Sequence, residues 1–244
     1  MRYYYITLLA LILFSSCKDD SFIPDSDFGF NYQPKTAGHW VEYAVDSTNY
    51  NDITIPPIIT ISSYFIREEI DTTFIDASGD VNLVIDQFRK NTLGAPWDLY
   101  QVGSFKITED NFQRYFNDLR FINLIFPVRE SREWQGHSFL DVENEPTLDY
   151  LDDTRYEWNY VYSNVDQTLS LDSFLFDSSL VVTQIDEENL FEKKFSQEKY
   201  VRNVGLVSKQ LLVLNTQAAP SGASFIDRAE SGFVINWRLI GFKN

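Results

Sequence analysis

A two-residue alternation of aromatic and β-branched residues runs through most of this 244-residue chain, and nothing else in the sequence limits its fold as strongly. Successive side chains on a strand point to opposite faces, so the pattern gives each strand one apolar face to bury. Val41, Tyr43 and Val45 share such a face. So do Tyr156, Trp158, Tyr160 and Tyr162, and, near the end, Phe233, Ile235, Trp237 and Leu239. Tyr64, Ile66, Ile70 and Phe74 share one parity ahead of a turn at 76–80. Further strands are expected at 99–108, 120–129, 168–174, 179–186, 188–200 and 205–215. Turn signals fall at Gly94-Ala-Pro96, Asn144-Glu-Pro146, Asp186-Glu-Glu-Asn189 and Ala219-Pro-Ser-Gly222. Many short strands at this spacing predict a mainly β fold, an antiparallel β-barrel or β-sandwich with at most one or two short helices. One segment departs from period two. Phe112, Tyr115, Phe116 and Leu119 fall at helical spacing behind a Thr108 cap, which predicts a helical or irregular piece. Gly38 and Gly205 suit strand entries needing positive φ, Pro127 suits a strand end, and Trp40, Trp134 and Trp237 are expected core anchors.

The start of the chain carries a second signal. Arg2 precedes a short apolar run, Ile6–Phe14, then Ser15, Ser16 and Cys17. The run is too short for a spanning helix, which needs about 20 residues, and reads as an export signal. Cys17 is the one cysteine in the chain. Leu13-Phe14-Ser15-Ser16-Cys17 resembles the lipobox of bacterial lipoproteins, with Phe14 where a smaller or branched residue is commoner. The resemblance implies a signal peptide over 1–16, cleavage before Cys17, and acylation (palmitate) at Cys17 that anchors the protein to a membrane. Lys18-Asp19-Asp20-Ser21 resembles the surface-export signal of Bacteroidetes-type lipoproteins, which implies the outer membrane, facing the cell surface. Residues 17–35 read as a flexible tether and 36–244 as a single β-rich domain.

Five later segments, taken in order, resemble a family of uncharacterised Bacteroidetes lipoproteins. They are Tyr32–Tyr43, Phe121–Val128 with Trp134-Gln-Gly136, Val181–Asn189, Tyr200–Val207, and Gly232 through Trp237 to Ile240. That resemblance implies an exported, mostly β domain and carries over no activity, cofactor or catalytic residue.

The chemistry-bearing residues are sparse. The formal charge of -16 opposes binding to a phosphate backbone, so no nucleic-acid partner is expected. A single cysteine excludes a disulfide framework. The two histidines, His39 and His137, sit in no paired motif, and no catalytic or metal site and no cofactor is expected from them. Nucleophile-elbow and phosphate-loop motifs are missing. Among 36 acidic residues no carboxylate pair stands out. Asp141, Glu143, Glu145, Asp149, Asp152 and Asp153 form an acidic run that reads as a solvated loop, with calcium as the alternative. Three functions remain. One is a non-enzymatic binding or assembly module with a cell-surface protein or glycan partner. Another is a carrier of an apolar ligand in a lipocalin-like barrel, and the third a hydrolase acting on glycans. A cavity above about 300 Å³ would favour a carrier over a filled barrel.

Overall fold

The computed structural model describes residues 27–142, 148, 150, 151, 158–217 and 222–243. Cys17, the signal segment, Tyr156, the 144–146 turn and all of the acidic run except Asp141 lie outside them. Twelve strands follow one another: β1 (Trp40–Asn51), β2 (Ile58–Ile75), β3 (Val81–Lys90), β4 (Asp98–Ile107), β5 (Asn111–Phe116), β6 (Leu119–Ile125), β7 (Glu133–Gln135), β8 (Asn159–Leu171), β9 (Phe174–Glu188), β10 (Glu192–Val201), β11 (Gly205–Asn215) and β12 (Ser231–Lys243). They form one sheet in the order β6-β5-β4-β3-β2-β1-β12-β11-β10-β9-β8-β7. Every pairing is antiparallel, between chain neighbours or between β1 and β12. The sheet is therefore an up-and-down barrel, not a sandwich, and it is nearly closed. 3-10 turns occur at Phe30–Tyr32 and Ile226–Arg228, and no α-helix occurs among the described residues.

Closure falls between β6 and β7. The Ile122 amide donates to the Gly136 carbonyl at 2.7 Å, and Trp134 Nε1 donates to the Ile122 carbonyl at 2.9 Å. The Tyr162 hydroxyl accepts from the Ile125 amide at 2.7 Å and donates to the Ile125 carbonyl at 2.9 Å. Aromatic side chains thus supply bonds that a regular ladder would otherwise make.

The inner face follows the expected alternation on β1, where Val41, Tyr43 and Val45 are all buried. On β2 a bulge between Ile70 and Thr72 breaks the parity, so Ile66 and Ile70 are buried while Phe74 is exposed. A smaller second core of Tyr50, Leu212, Leu214, Phe225, Ala229 and Val234 lies where the β11–β12 connection packs back on the sheet. Gly38 and Gly205 have φ of 82° and 95°, as their turn roles require. Trp40, Trp134 and Trp237 are half-buried.

Two expectations are corrected. The Thr108–Leu119 segment is a hairpin, not a helix. Its pivot is Asn117-Asp118, with φ of 51° and 63°, the pair of positive φ values that a tight two-residue hairpin turn needs. Thr108 Oγ1 does accept backbone N–H bonds, from Asp110 at 3.1 Å and Asn111 at 3.0 Å, but in a turn between β4 and β5. The second correction concerns residues 27–35, assigned above to the tether. They pack across one end of the barrel, with Tyr32 fully buried. Arg202 Nη1 holds Asp27 at 2.7 Å and Asn31 at 2.6 Å, Nη2 holds Asp166 at 2.8 Å, and the guanidinium stacks 4.6 Å from the Tyr32 ring. Arg202, with the Ser178 and Tyr32 hydrogen bonds, outweighs partial burial and lowers the Asp166 carboxyl to about 2. The aromatic residues scattered through this segment are the reason it docks: Phe30 lies 4.6 Å from Phe126.

Candidate functional site

The barrel is not filled. A cavity of about 330 Å³ occupies its interior, with walls from β2 to β6, β8 to β12 and the segment that precedes β8. Its floor is polar because the buried parity of β10 is Lys194, Ser196, Glu198 and Tyr200. Phe195 takes the other face and packs against the second core. Glu198 is 1% exposed. Its carboxylate accepts from Tyr200 Oη at 2.6 Å and Asn123 Nδ2 at 3.0 Å, and pairs with Lys209 Nζ at 3.2 Å. Burial alone would raise its pKa. Lys209, Arg114 and the two hydrogen bonds outweigh burial and hold the carboxyl below its ordinary value. Arg114, on β5, pairs with buried Glu68, and burial, which would lower its pKa, is outweighed by Glu68, Tyr200 and Glu198. A relay continues from Glu68 to Gln87 at 3.0 Å and from Gln87 to Gln101 at 2.7 Å.

Two polar atoms beside this cavity are not satisfied. Asn123 Oδ1 and Trp158 Nε1 have no hydrogen-bond partner among the described residues, and each is closed off from solvent, at a cost of about 1–3 kcal/mol apiece. The polar groups the lining itself offers are the side-chain amides of Gln87, Gln101, Asn117, Asn123 and Gln184 with Arg89, Arg114, Lys209 and Glu198. Aromatic surface from Tyr64, Tyr160 and Trp237 completes the wall, with Trp237 also tilted against Tyr43 at 5.1 Å.

The rim is set by Tyr100 and Asn117, both exposed, and half-buried Arg89. Antiparallel strands alternate their turns between the two ends. The Asn117 turn is therefore at the opposite end from 126–128 and 202–204, where the Val128 amide donates to the Phe28 carbonyl and the Asn203 amide to the Asn31 carbonyl. The cavity opens away from the end that the N-terminal segment covers.

Neither histidine is among the described residues that line this space. His39 is buried with Nε2 at 3.0 Å from the Val204 carbonyl, and burial, partly opposed by that bond, lowers its pKa. His137 follows the seam at Gly136 and is also lowered by burial. Among the described residues no group of three or more His, Cys, Asp or Glu is placed to hold a metal ion. Sequence reading put Tyr64, Tyr160 and Trp237 on apolar strand faces, with Trp237 as a core anchor, and missed Glu198, Arg114, Lys209 and Asn123. The available signal was the lysine, serine and glutamate at alternate positions 194, 196 and 198 of a strand whose Phe195 points the other way.

No family model and no curated protein sequence matches the chain. Two solved structures are similar to it. One, from Bacteroides fragilis, bears the description "putative exported protein with YmcC-like fold". It is 11% identical, the match covers 86% of this chain and 98% of that one, and the TM-score is 0.40. The other, from Parabacteroides distasonis, is described as a "putative lipoprotein". It is 10% identical, with coverage of 90% and 100% and a TM-score of 0.38. Function is therefore argued from this chain's own residues.

Proposed function

We propose that this protein is an exported, lipid-anchored binding module whose barrel interior holds a small molecule. The observation that carries the reading is the interior cavity of about 330 Å³ with amide, guanidinium and aromatic side chains in its lining. Its volume reaches the lower end of known ligand sites, about 300–1,000 Å³. Anchoring rests on the Cys17 motif, and the outer-membrane, surface-facing location on the acidic cluster after it. With the anchored terminus leading to the closed end, the rim faces away from the membrane.

The lining disfavours the two other readings. A carrier for an apolar ligand would not present a carboxylate, five side-chain amides, an ammonium and two guanidinium groups to its cargo, since each would lose water without a partner. A glycan hydrolase needs a carboxyl kept protonated near neutral pH beside a second carboxylate. Glu198 is the one carboxylate among the described lining residues, and its neighbours hold it ionised.

The test is native mass spectrometry on protein extracted from the cell envelope. A small molecule should travel with the wild type and be lost from Leu211→Trp, which puts an indole into the cavity from β11. A wild type that carries nothing, and whose melting temperature is unmoved by envelope small-molecule extract, would sink the binding reading. The anchor is checked separately. Cys17→Ser should shift the protein from the membrane to the soluble fraction; a variant that still pellets at the wild-type level would refute lipidation there.

A further inference from the structure

Resting on the cavity reading above, we infer that the ligand is a sugar unit carrying a carboxylate, a uronate-type saccharide. Three independent features of the lining converge on this class. The first is the set of side-chain amides in the lining, Gln87, Gln101, Asn117, Asn123 and Gln184. An amide both donates and accepts, and a hydroxyl group answers both. A ligand bearing several hydroxyls therefore suits this lining, and a hydrocarbon does not. The second feature is the aromatic lining, Tyr64, Tyr160 and Trp237, apolar surface against which the C–H face of a pyranose can pack. The third is charge. The described charged residues in the lining are Arg89, Arg114 and Lys209 against Glu198, and Glu68 offsets Arg114 from behind. One positive charge is left over in a chain whose formal charge is -16.

That surplus is Arg89. It is half-buried on β3 at the rim, its guanidinium 3.9 Å from the Tyr64 ring centroid and 5.6 Å from that of Tyr100. Its guanidinium makes no ion pair or hydrogen bond among the described residues, although Asp98 is its register partner on β4. The two rings hold the planar group while its N–H edge stays free, and that edge matches a carboxylate two bonds at a time. The arrangement places the acid at the rim and the hydroxyls at the floor.

The test is calorimetric titration of the detergent-solubilised full-length protein with glucuronate, galacturonate, glucose, galactose and decanoate. A uronate should bind about tenfold more tightly than its neutral parent, the worth of one charge-assisted pair. Arg89→Gln should erase that ratio while leaving weak sugar binding. Gln101→Leu, which replaces an amide of the lining with a hydrocarbon of similar size, should weaken both sugars by about three- to tenfold. Equal binding of acid and neutral parent, unchanged by Arg89→Gln, would overturn the carboxylate assignment. Binding of decanoate alone, blocked by Leu211→Trp, would overturn the sugar class yet leave the cavity reading intact. Binding of none of the five probes would also overturn the inference, and the cavity reading would then be judged on the envelope extraction.

Discussion

Replacing Arg114 with leucine should destabilise the barrel by about 3–5 kcal/mol, read as a fall in the urea midpoint of unfolding. The size follows from what Arg114 leaves behind. Its side chain is 13% exposed and pairs with Glu68, which is 7% exposed. Glu198, fully buried, also draws on its charge. Without the guanidinium, Glu68 retains only the Gln87 bond at 3.0 Å, and Glu198 relies on Lys209, Tyr200 and Asn123. A buried carboxylate without its cation either pays for desolvation or takes up a proton. Arg114→Leu combined with Glu68→Leu should therefore recover part of the loss, because the stranded charge is removed as well. A single variant that unfolds within 1 kcal/mol of wild type, on the scale of an exposed pair, would show that the interior pairing does not hold the barrel together.

Gly232→Ala should cost about 3 kcal/mol or more, for two reasons that add. The residue has φ of 111°, where an L side chain is strained, and a Cβ there would lie 2.0 Å from the Val213 carbonyl oxygen. That oxygen belongs to the backbone of β11, which β12 pairs with through Leu214 and Gly232, so neither strand can yield alone. Gly79→Ala separates the two effects. Its φ of 88° is similar, but nothing lies within 4 Å of the added carbon, so it should lose only the conformational part, about 1–2 kcal/mol. Thermal melts of the two variants side by side measure the difference. Equal shifts would mean that β11 and β12 move apart easily.

The architecture was legible in the sequence wherever one face of a strand is purely apolar. β1 is the clear case: Val41, Tyr43 and Val45 announce both the strand and the side it buries. The hairpin of β5 and β6 was hidden because Phe112, Tyr115, Phe116 and Leu119 satisfy helical spacing by coincidence, while the turn that decides the matter rests on two residues, Asn117 and Asp118. The interior site was hidden for a deeper reason. Hydrophobic patterning locates buried faces by their apolarity, and on β10 the buried face is Lys194, Ser196, Glu198 and Tyr200. Its partners Asn123 and Arg114 lie on β6 and β5, and only closure of the sheet brings them to β10; Gln184 comes from the neighbouring β9. The docked segment at 27–35 was read as a tether for a related reason. Its composition is that of a linker, and its fate depends on Arg202, far along the chain.

The pairing of β1 with β12 sets the timing of assembly. Trp40 lies opposite Lys243, so the ladder that completes the sheet joins the two ends of the folded region. Each earlier hairpin can form locally, but β1 keeps an unsatisfied edge until the final strand is available. A chain synthesised from its N-terminus delivers that strand last, so no partial chain can complete the barrel however many of its hairpins have formed.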